Sequence, residues 1–382
     1  MYESERIKSM PTSIFSTMSK LAVEYNAVNL GQGFPDFSGP QWLMDEAYKA
    51  MKEGKNQYAP SNGIRSLRKV LSETAQKYYD LKWNEETEVT ITAGATEALY
   101  STITALINKG DEVILFEPFY DAYQADVILA GGIPKYVTLY KPDFTFDENE
   151  LEKSISEATK MIILNNPHNP TGKVFNKEEI EFIAKIAKQN NLLVISDEVY
   201  EFLLFDDAKH IPIASFPGMK ERTITISSSG KTFGMTGWKI GFAYASPDLI
   251  RFIQKVHQWT TFAVNTPGQH AMAFAFGKLE DYLPEFRKTY KEKRDLIYKL
   301  LKDSVFKPHL PLGSYFMMID IPDTLNMNDI DTSLDLVKNY GVATIPPSVF
   351  YAKSDEGQTM LRLCFAKNEE TLIAGANKLK MI

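Results

Sequence analysis

Cysteine is almost missing from this chain: Cys364 is the only one in 382 residues, so no disulfide can close within it. Histidine is nearly as scarce, with five residues, none at ligand spacing from another histidine or from the cysteine, which leaves no zinc pattern. Positive charge is in deficit, 42 Lys and Arg against 49 Asp and Glu for a net −7 at pH 7. With no long basic cluster, binding to nucleic acid or to an anionic membrane is disfavoured. No apolar run reaches the length of a membrane span, and the charged opening Met1-Tyr2-Glu3-Ser4-Glu5-Arg6 leads into no apolar leader core. Repeats and low-complexity tracts are absent. These absences describe a soluble cytoplasmic protein without a structural metal, long enough for two domains or for one large α/β unit with an added lobe.

What is present is a rhythm. From about residue 88 to 245, short β-rich runs alternate with helical patterns: Val89 to Thr92, Glu112 to Phe116, Lys160 to Leu164, Leu192 to Ser196, Thr223 to Ile226 and Ile240 to Tyr244. Near-continuous apolar strands separated by helices predict a mostly parallel sheet covered on both faces, with ligands at the strands' carboxyl ends. A helical stretch from Leu249 to about Leu301, interrupted near Thr266-Pro267-Gly268, leaves this unit. A second lobe then mixes strand signals (Ser314 to Ile319, Thr359 to Phe365) with helical ones (Asn328 to Tyr340, Glu369 to Lys380). The first 40 residues read as irregular, with Gly31-Gln32-Gly33-Phe34-Pro35 as a rigid turn.

Lys231 stands among small residues in Ser227-Ser228-Ser229-Gly230-Lys231-Thr232, just after a strand. A lysine that must alternate between a covalent imine and a free amine needs a site cleared of bulk, which serines and glycines provide. The same loop suits an anion, with Lys239 adding a second cation. A nucleotide P-loop is excluded, because its first glycine would fall on Thr225 and Gly234 and Gly237 break the helix that should follow. An exposed loop lysine without a role remains the plain alternative.

Other groups follow other strand ends. Asp197, in Asp197-Glu198-Val199-Tyr200, delivers a carboxylate to the sheet's mouth, where it needs a cationic partner such as a pyridinium nitrogen; alternatively it caps a helix. Asn165-Asn166-Pro167-His168-Asn169-Pro170-Thr171-Gly172 fixes its backbone in a way that aims an amide such as Asn169, with His168 a loop residue rather than a base. Gly94-Ala95-Thr96-Glu97 opens a helix whose free N–H groups can receive phosphate. Arg362 shares one face of an apolar strand with Cys364, opposite Leu361, Leu363 and Phe365. Its guanidinium calls for a carboxylate, either a ligand's or that of an internal Asp or Glu.

Together these motifs, with Asn29-Leu30-Gly31-Gln32-Gly33-Phe34-Pro35-Asp36-Phe37 and Asn56-Gln57-Tyr58, resemble the class I and II aminotransferases of fold type I over nearly the whole chain. The methionine, kynurenine and glutamine transaminase K group is nearest in pattern. The resemblance implies an α/β fold. Residues 41–290 would form a large domain around a mostly parallel seven-stranded sheet and residues 291–382 part of a smaller α+β domain, with residues 1–40 an N-terminal arm and the rest of that small domain. It implies pyridoxal 5′-phosphate as cofactor, bound to Lys231 as a Schiff base, with that lysine also the proton shuttle. Asp197 would pair with the pyridine nitrogen, and Asn169 and Tyr200 with the phenolic oxygen. Gly94, Ala95, Thr96, Ser228 and Lys239 would hold the phosphate, joined by Tyr58 from the other subunit of a homodimer, while Tyr120 stacks on the ring. Arg362 would bind the substrate α-carboxylate, helped by the backbone at Gly33. Many relatives have arginine where Lys239 stands; lysine neutralises a phosphate without a planar fork.

The implied reaction moves an amino group from an L-amino acid to a 2-oxo acid. Methionine and aromatic donors are favoured because Phe15 and Phe262 match positions that contact bulky side chains in the resembling group; the plain alternative is that they are core or interface aromatics. A cysteine-conjugate or cystathionine-type β-lyase is the nearest alternative on the same scaffold. A ligand-binding regulator that kept the fold is the more distant one, with no helix-turn-helix segment or basic linker to support it.

Overall fold

The computed structural model describes Tyr2, Ser4, residues 6–8 and residues 13–382. A short strand, β1 (Val28–Asn29), precedes a seven-stranded sheet of β2 (Val89–Thr92), β3 (Glu112–Glu117), β4 (Ile133–Thr138), β5 (Thr159–Asn165), β6 (Leu193–Asp197), β7 (Thr223–Ser228) and β8 (Gly241–Tyr244). The order across the sheet is β2-β8-β7-β6-β5-β3-β4. Every pairing is parallel except those of β8, which runs antiparallel to β7 and β2.

Period-two alternation divides the buried side chains between the two faces. Val113, Leu115, Met161, Ile163, Ile195 and Ile224 pack with Ala98, Leu99, Ile103, Ile250 and Ile253, which belong to α4 (Gly94–Leu106) and α9 (Pro247–Thr260). Ile114, Phe116, Ile162, Leu164 and Val194 pack with Ile180, Ile183 and Ala187 of α7 (Lys177–Gln189), whose first turn is closed by an Asn176–Glu179 capping box. A third core joins α2 (Gln41–Lys52), α3 (Arg65–Tyr79) and α10 (Thr266–Gly277) to the β2–β8 end of the sheet, and continues along α11 (Leu279–Leu301) into the C-terminal lobe. Smaller helices are α5 (Asp121–Leu129), α6 (Glu148–Lys153) and α8 (Ser229–Thr232).

That lobe holds an antiparallel sheet of β9 (Lys307–Pro308), β10 (Phe316–Asp320) and β12 (Met360–Cys364), flanked by α12 (Asp329–Asp335) and α13 (Glu369–Leu379). The N-terminal segment is built into it: β1 pairs in parallel with β11 (Val342–Ala343), and the Leu30 carbonyl accepts from the Cys364 N–H at 2.7 Å.

Three sequence expectations are revised. The first 40 residues are not irregular throughout, since α1 (Ile14–Glu24) buries Met18 and Ala22 against Val337, Ala343, Ile345 and Phe350. Its apolar residues are diluted by Ser and Lys, so the helical spacing is faint in sequence. β4 was absent from the predicted runs because Pro134 and Lys135 interrupt it. It pairs only with β3 at the sheet's edge, where proline costs no central ladder bond. The predicted helix from Asn328 to Tyr340 begins as α12 and ends in a π-helical turn, Leu336–Tyr340.

Candidate active site

The carboxyl ends of β5, β6 and β7 and the start of α4 open on one cavity of about 330 Å³. Among the sequence-predicted site residues, Phe15, Gly33, Gly94, Ala95, Thr96, Tyr120, Asn169, Asp197, Tyr200, Ser228, Lys231, Lys239 and Arg362 all line it.

One end is built for an anion. No side chain caps α4, and the Ala93 N–H is taken by Glu97 Oε2 at 3.0 Å, so the N–H groups of Gly94, Ala95 and Thr96 are the unsatisfied donors of the first turn. Lys239, in the left-handed region at φ 54°, brings its amine beside them. A Cβ on Gly94, itself at φ +76°, would lie 3.1 Å from Lys239 Nζ. Gly241 serves the same packing, since a Cβ there would meet the Gly94 carbonyl carbon at 2.4 Å. Two glycines therefore let strand, helix and lysine close on a phosphate-sized cradle, and these donors fit that group. Tyr120, its hydroxyl pushed up to about 12 by burial, packs edge-on against Tyr123 at 5.6 Å.

At the centre Asp197 ends β6. Tyr123 Oη donates to its Oδ2 at 2.6 Å and the Val199 N–H to its Oδ1 at 3.3 Å. Burial raises this carboxyl to about 6, against the lowering effect of the Tyr123 bond. No helix starts here, so Asp197 is not a helix cap. Asn169 is held by its N–H, which donates to Asn165 Oδ1 at 2.7 Å, while its own Oδ1 accepts from Arg362 Nη1 at 3.1 Å. Tyr200, its hydroxyl pushed up by burial, packs edge-on to Tyr315 at 5.1 Å.

Lys231 sits in α8, where Gly230 lets the chain turn back: a Cβ there would lie 3.0 Å from Thr236 Cα. Its Nζ donates to Tyr315 Oη at 2.9 Å, and that hydroxyl donates to the Gly33 carbonyl at 2.6 Å. Burial, with the positive charges of Arg362 and Lys239, brings the amine down to about 8, against the opposing influence of Cys364 and Asp197.

Arg362 carries no internal salt bridge among the described residues, which resolves the alternative left open by the sequence. Its Nη1 donates to Asn169, its Nη2 donates to the Gly31 carbonyl at 2.9 Å, and its Nε has no partner. Three rings surround the guanidinium, Phe316 at 4.2 Å, Phe15 at 5.0 Å and Phe350 at 5.5 Å, and burial brings it down to about 10. A buried cation without an anion is a receptor for one.

The family model for aminotransferase class I and II matches residues 25–379. The chain belongs to that family. It is 40% identical over 380 residues to a methionine aminotransferase of Escherichia coli K12, covering 99% of this chain and 97% of the relative. It is likewise 40% identical over 407 residues to a kynurenine–oxoglutarate transaminase of Dictyostelium discoideum, covering 97% and 94%. Among solved structures, an Escherichia coli protein whose reactivity identifies a methionine aminotransferase function superposes with TM-score 0.96 at 38% identity, covering 100% of both chains. An N-succinyldiaminopimelate aminotransferase of Mycobacterium tuberculosis gives TM-score 0.96 at 38% identity, covering 99% of each. The family is pyridoxal-phosphate-dependent.

Two predicted residues of this aminotransferase stand apart. Tyr58, 82% exposed, packs edge-on against Phe262 at 5.2 Å, and neither lines the cavity. Phe262 is thus not a wall of its own chain's substrate pocket, because it lies in the reversal between α9 and α10. The loop bearing Tyr58 is anchored to the cradle helix by buried His257, whose Nδ1 lies 3.1 Å from Glu97 Oε1 and whose Nε2 lies 2.8 Å from the Ser61 carbonyl. His168 is structural as expected: it bonds Thr171 Oγ1 at 2.8 Å and burial holds it down to about 3. Sequence reasoning missed Tyr123, Tyr315, Phe316 and Phe350. Only Tyr123 left a trace, one turn beyond Tyr120 on α5.

Proposed function

We propose that this aminotransferase carries pyridoxal 5′-phosphate on Lys231 and takes methionine or an aromatic amino acid, kynurenine included, as amino donor. The single observation that carries the reading is the convergence of a buried carboxylate at Asp197, a buried amine at Lys231 brought down to about 8 and an anion-free guanidinium at Arg362 on one cavity.

When bound, the cofactor supplies an electron sink for the charge left at the substrate Cα. Asp197 would face the ring nitrogen and, being a carboxylate, keep it protonated. Gly94, Ala95, Thr96, Ser228 and Lys239 would hold the phosphate, and Asn169 and Tyr200 the phenolic oxygen, with Tyr120 against the ring. Arg362 binds the substrate carboxylate and thereby fixes the direction of the Cα–H bond. Lys231 Nζ, near 8, has a neutral fraction that accepts the Cα proton and a charged form that returns one.

The donor side chain would meet Phe15, Phe34, Leu99 and Phe316, which line the same cavity. An apolar wall suits a thioether or an aromatic ring and leaves a second carboxylate without a fork. The methionine and kynurenine relatives support the same choice. The exposed Tyr58–Phe262 pair, with Trp259 at 88% exposure nearby, supports a homodimer in which each copy lends Tyr58 and Phe262 to its partner's cavity. In this reading residues 13–40 serve as arm and part of the small domain, 41–290 as the cofactor domain and 291–382 as the remainder of the small domain; residues 1, 3, 5 and 9–12 of the expected 1–40 arm lie outside the described residues.

Single-turnover reactions with methionine, phenylalanine, kynurenine, glutamine and aspartate test the proposal. Methionine and the aromatic donors are expected to yield their 2-oxo acids fastest and aspartate slowest. Fastest reaction with aspartate contradicts the reading of an apolar-selective wall, and cysteine conjugates turned over to pyruvate and ammonia with no amino group passed from methionine or an aromatic donor to a 2-oxo acid favour the lyase alternative.

A further inference from the structure

We propose that Tyr315 is a positioning residue for Lys231: its hydroxyl receives the lysine amine whenever that amine is not covalently engaged, and joins it to the Gly33 segment at the cavity wall. The inference rests on the role of Lys231 given above.

The directions of the two hydrogen bonds carry the argument. Tyr315 Oη gives its proton to the Gly33 carbonyl at 2.6 Å, so toward Lys231, at 2.9 Å, it can only accept. Both the charged and the neutral amine are donors, and the bond therefore survives proton gain and loss at Nζ. Nor can the hydroxyl move freely. Tyr315 is 1% exposed, and its ring is wedged between Phe316 at 4.8 Å, Tyr200 at 5.1 Å and Tyr290 at 6.2 Å. A lysine stem has several freely rotating bonds, and a proton-transfer amine has to be held at one place; a fixed acceptor on a rigid ring does this.

The same oxygen joins three separate parts of the chain. Lys231 follows β7 of the central sheet, Tyr315 leads into β10 of the C-terminal lobe, and Gly33 belongs to the segment beside β1. The resting place of the amine therefore exists only while lobe, segment and sheet are together. Of the groups that act on the amine, Asp197 and Cys364 favour its charge and Arg362 and Lys239 oppose it; the Tyr200 ring lies 5.6 Å away. The Tyr315 hydroxyl is the one hydrogen-bond partner found for Nζ among the described residues.

Tyr315→Phe removes that oxygen and keeps the ring. The test is competitive acetylation of the full-length, cofactor-stripped chain across pH, read on the peptide containing Lys231. Because the bond favours the charged amine, its midpoint is expected to fall by about one unit in the variant. In the cofactor-loaded enzyme kcat for methionine is expected to fall roughly tenfold, with KM within about twofold. Tyr290→Phe, which alters a packing neighbour that does not touch the amine, is expected to keep parent values for both. An unmoved midpoint and kcat in Tyr315→Phe overturn the inference, and so does an equal change in Tyr290→Phe, which would assign the effect to packing. Parent protein in which pyridoxal phosphate protects a lysine other than Lys231 overturns the Lys231 assignment and this inference with it. Protection of Lys231 with an unmoved titration in Tyr315→Phe overturns this inference alone.

Discussion

Tyr123 donates a 2.6 Å hydrogen bond to Oδ2 of Asp197, and this bond is the main counterweight to the burial that raises the carboxyl to about 6. A charge-assisted bond to a buried carboxylate lowers its pKa, so Tyr123 favours the ionised form of Asp197 that the proposed pairing with a pyridine nitrogen requires. Removing the hydroxyl in Tyr123→Phe moves the Asp197 midpoint upward. Pyridoxal phosphate is then expected to bind more weakly at neutral pH by roughly tenfold, with the loss shrinking as pH rises. A cofactor titration by absorbance across pH reads this directly, and affinity equal to the parent's at all pH values contradicts it.

Asp197 also sets a cost on the cofactor-free fold. Its folded value, about 6, lies above the ordinary 3.8, so the folded state favours the protonated acid. That stabilisation is complete below the unfolded value and is lost as pH rises through about 6. Asp197→Asn, which cannot ionise, is therefore expected to exceed the cofactor-free parent in stability by ~3 kcal/mol at most above that pH, with the difference closing toward pH 4. Urea unfolding of both chains at two pH values checks the sign. The same variant should have lost nearly all transamination, since an amide cannot hold a proton on the ring nitrogen by charge.

Arg362→Lys keeps a cation and loses both the planar fork and the contacts with Phe15, Phe316 and Phe350. The expected result is a fall in kcat/KM for methionine and phenylalanine together, by roughly 10- to 100-fold, because both share the carboxylate and differ only in the side chain. Losses confined to one of the two would place the arginine at the side-chain wall.

The parts of this enzyme written in the sequence are those where one segment suffices. Apolar runs specify β2, β3, β5, β6, β7 and β8, and the residues at or just past the carboxyl ends of β5, β6 and β7 carry Asn169, Asp197 and Lys231 into the site. What stays hidden depends on contacts between distant segments. Tyr123 and Asp197 are 74 residues apart, Lys231 and Tyr315 are 84 apart, and nothing local marks either tyrosine for its partner. β4 is masked by an edge proline, and the sequence does not say whether Phe262 serves its own chain's cavity, which it does not line, or that of a second copy.

The central claim is that Lys231 forms the covalent link to the cofactor, and it is tested most directly by borohydride reduction of the loaded enzyme followed by peptide mapping. The account predicts one phosphopyridoxyl group per chain, on Lys231, with Lys231→Ala retaining weak cofactor binding but no reducible bond. Label recovered on Lys239, or a chain that retains full transamination after Lys231→Ala, would contradict it.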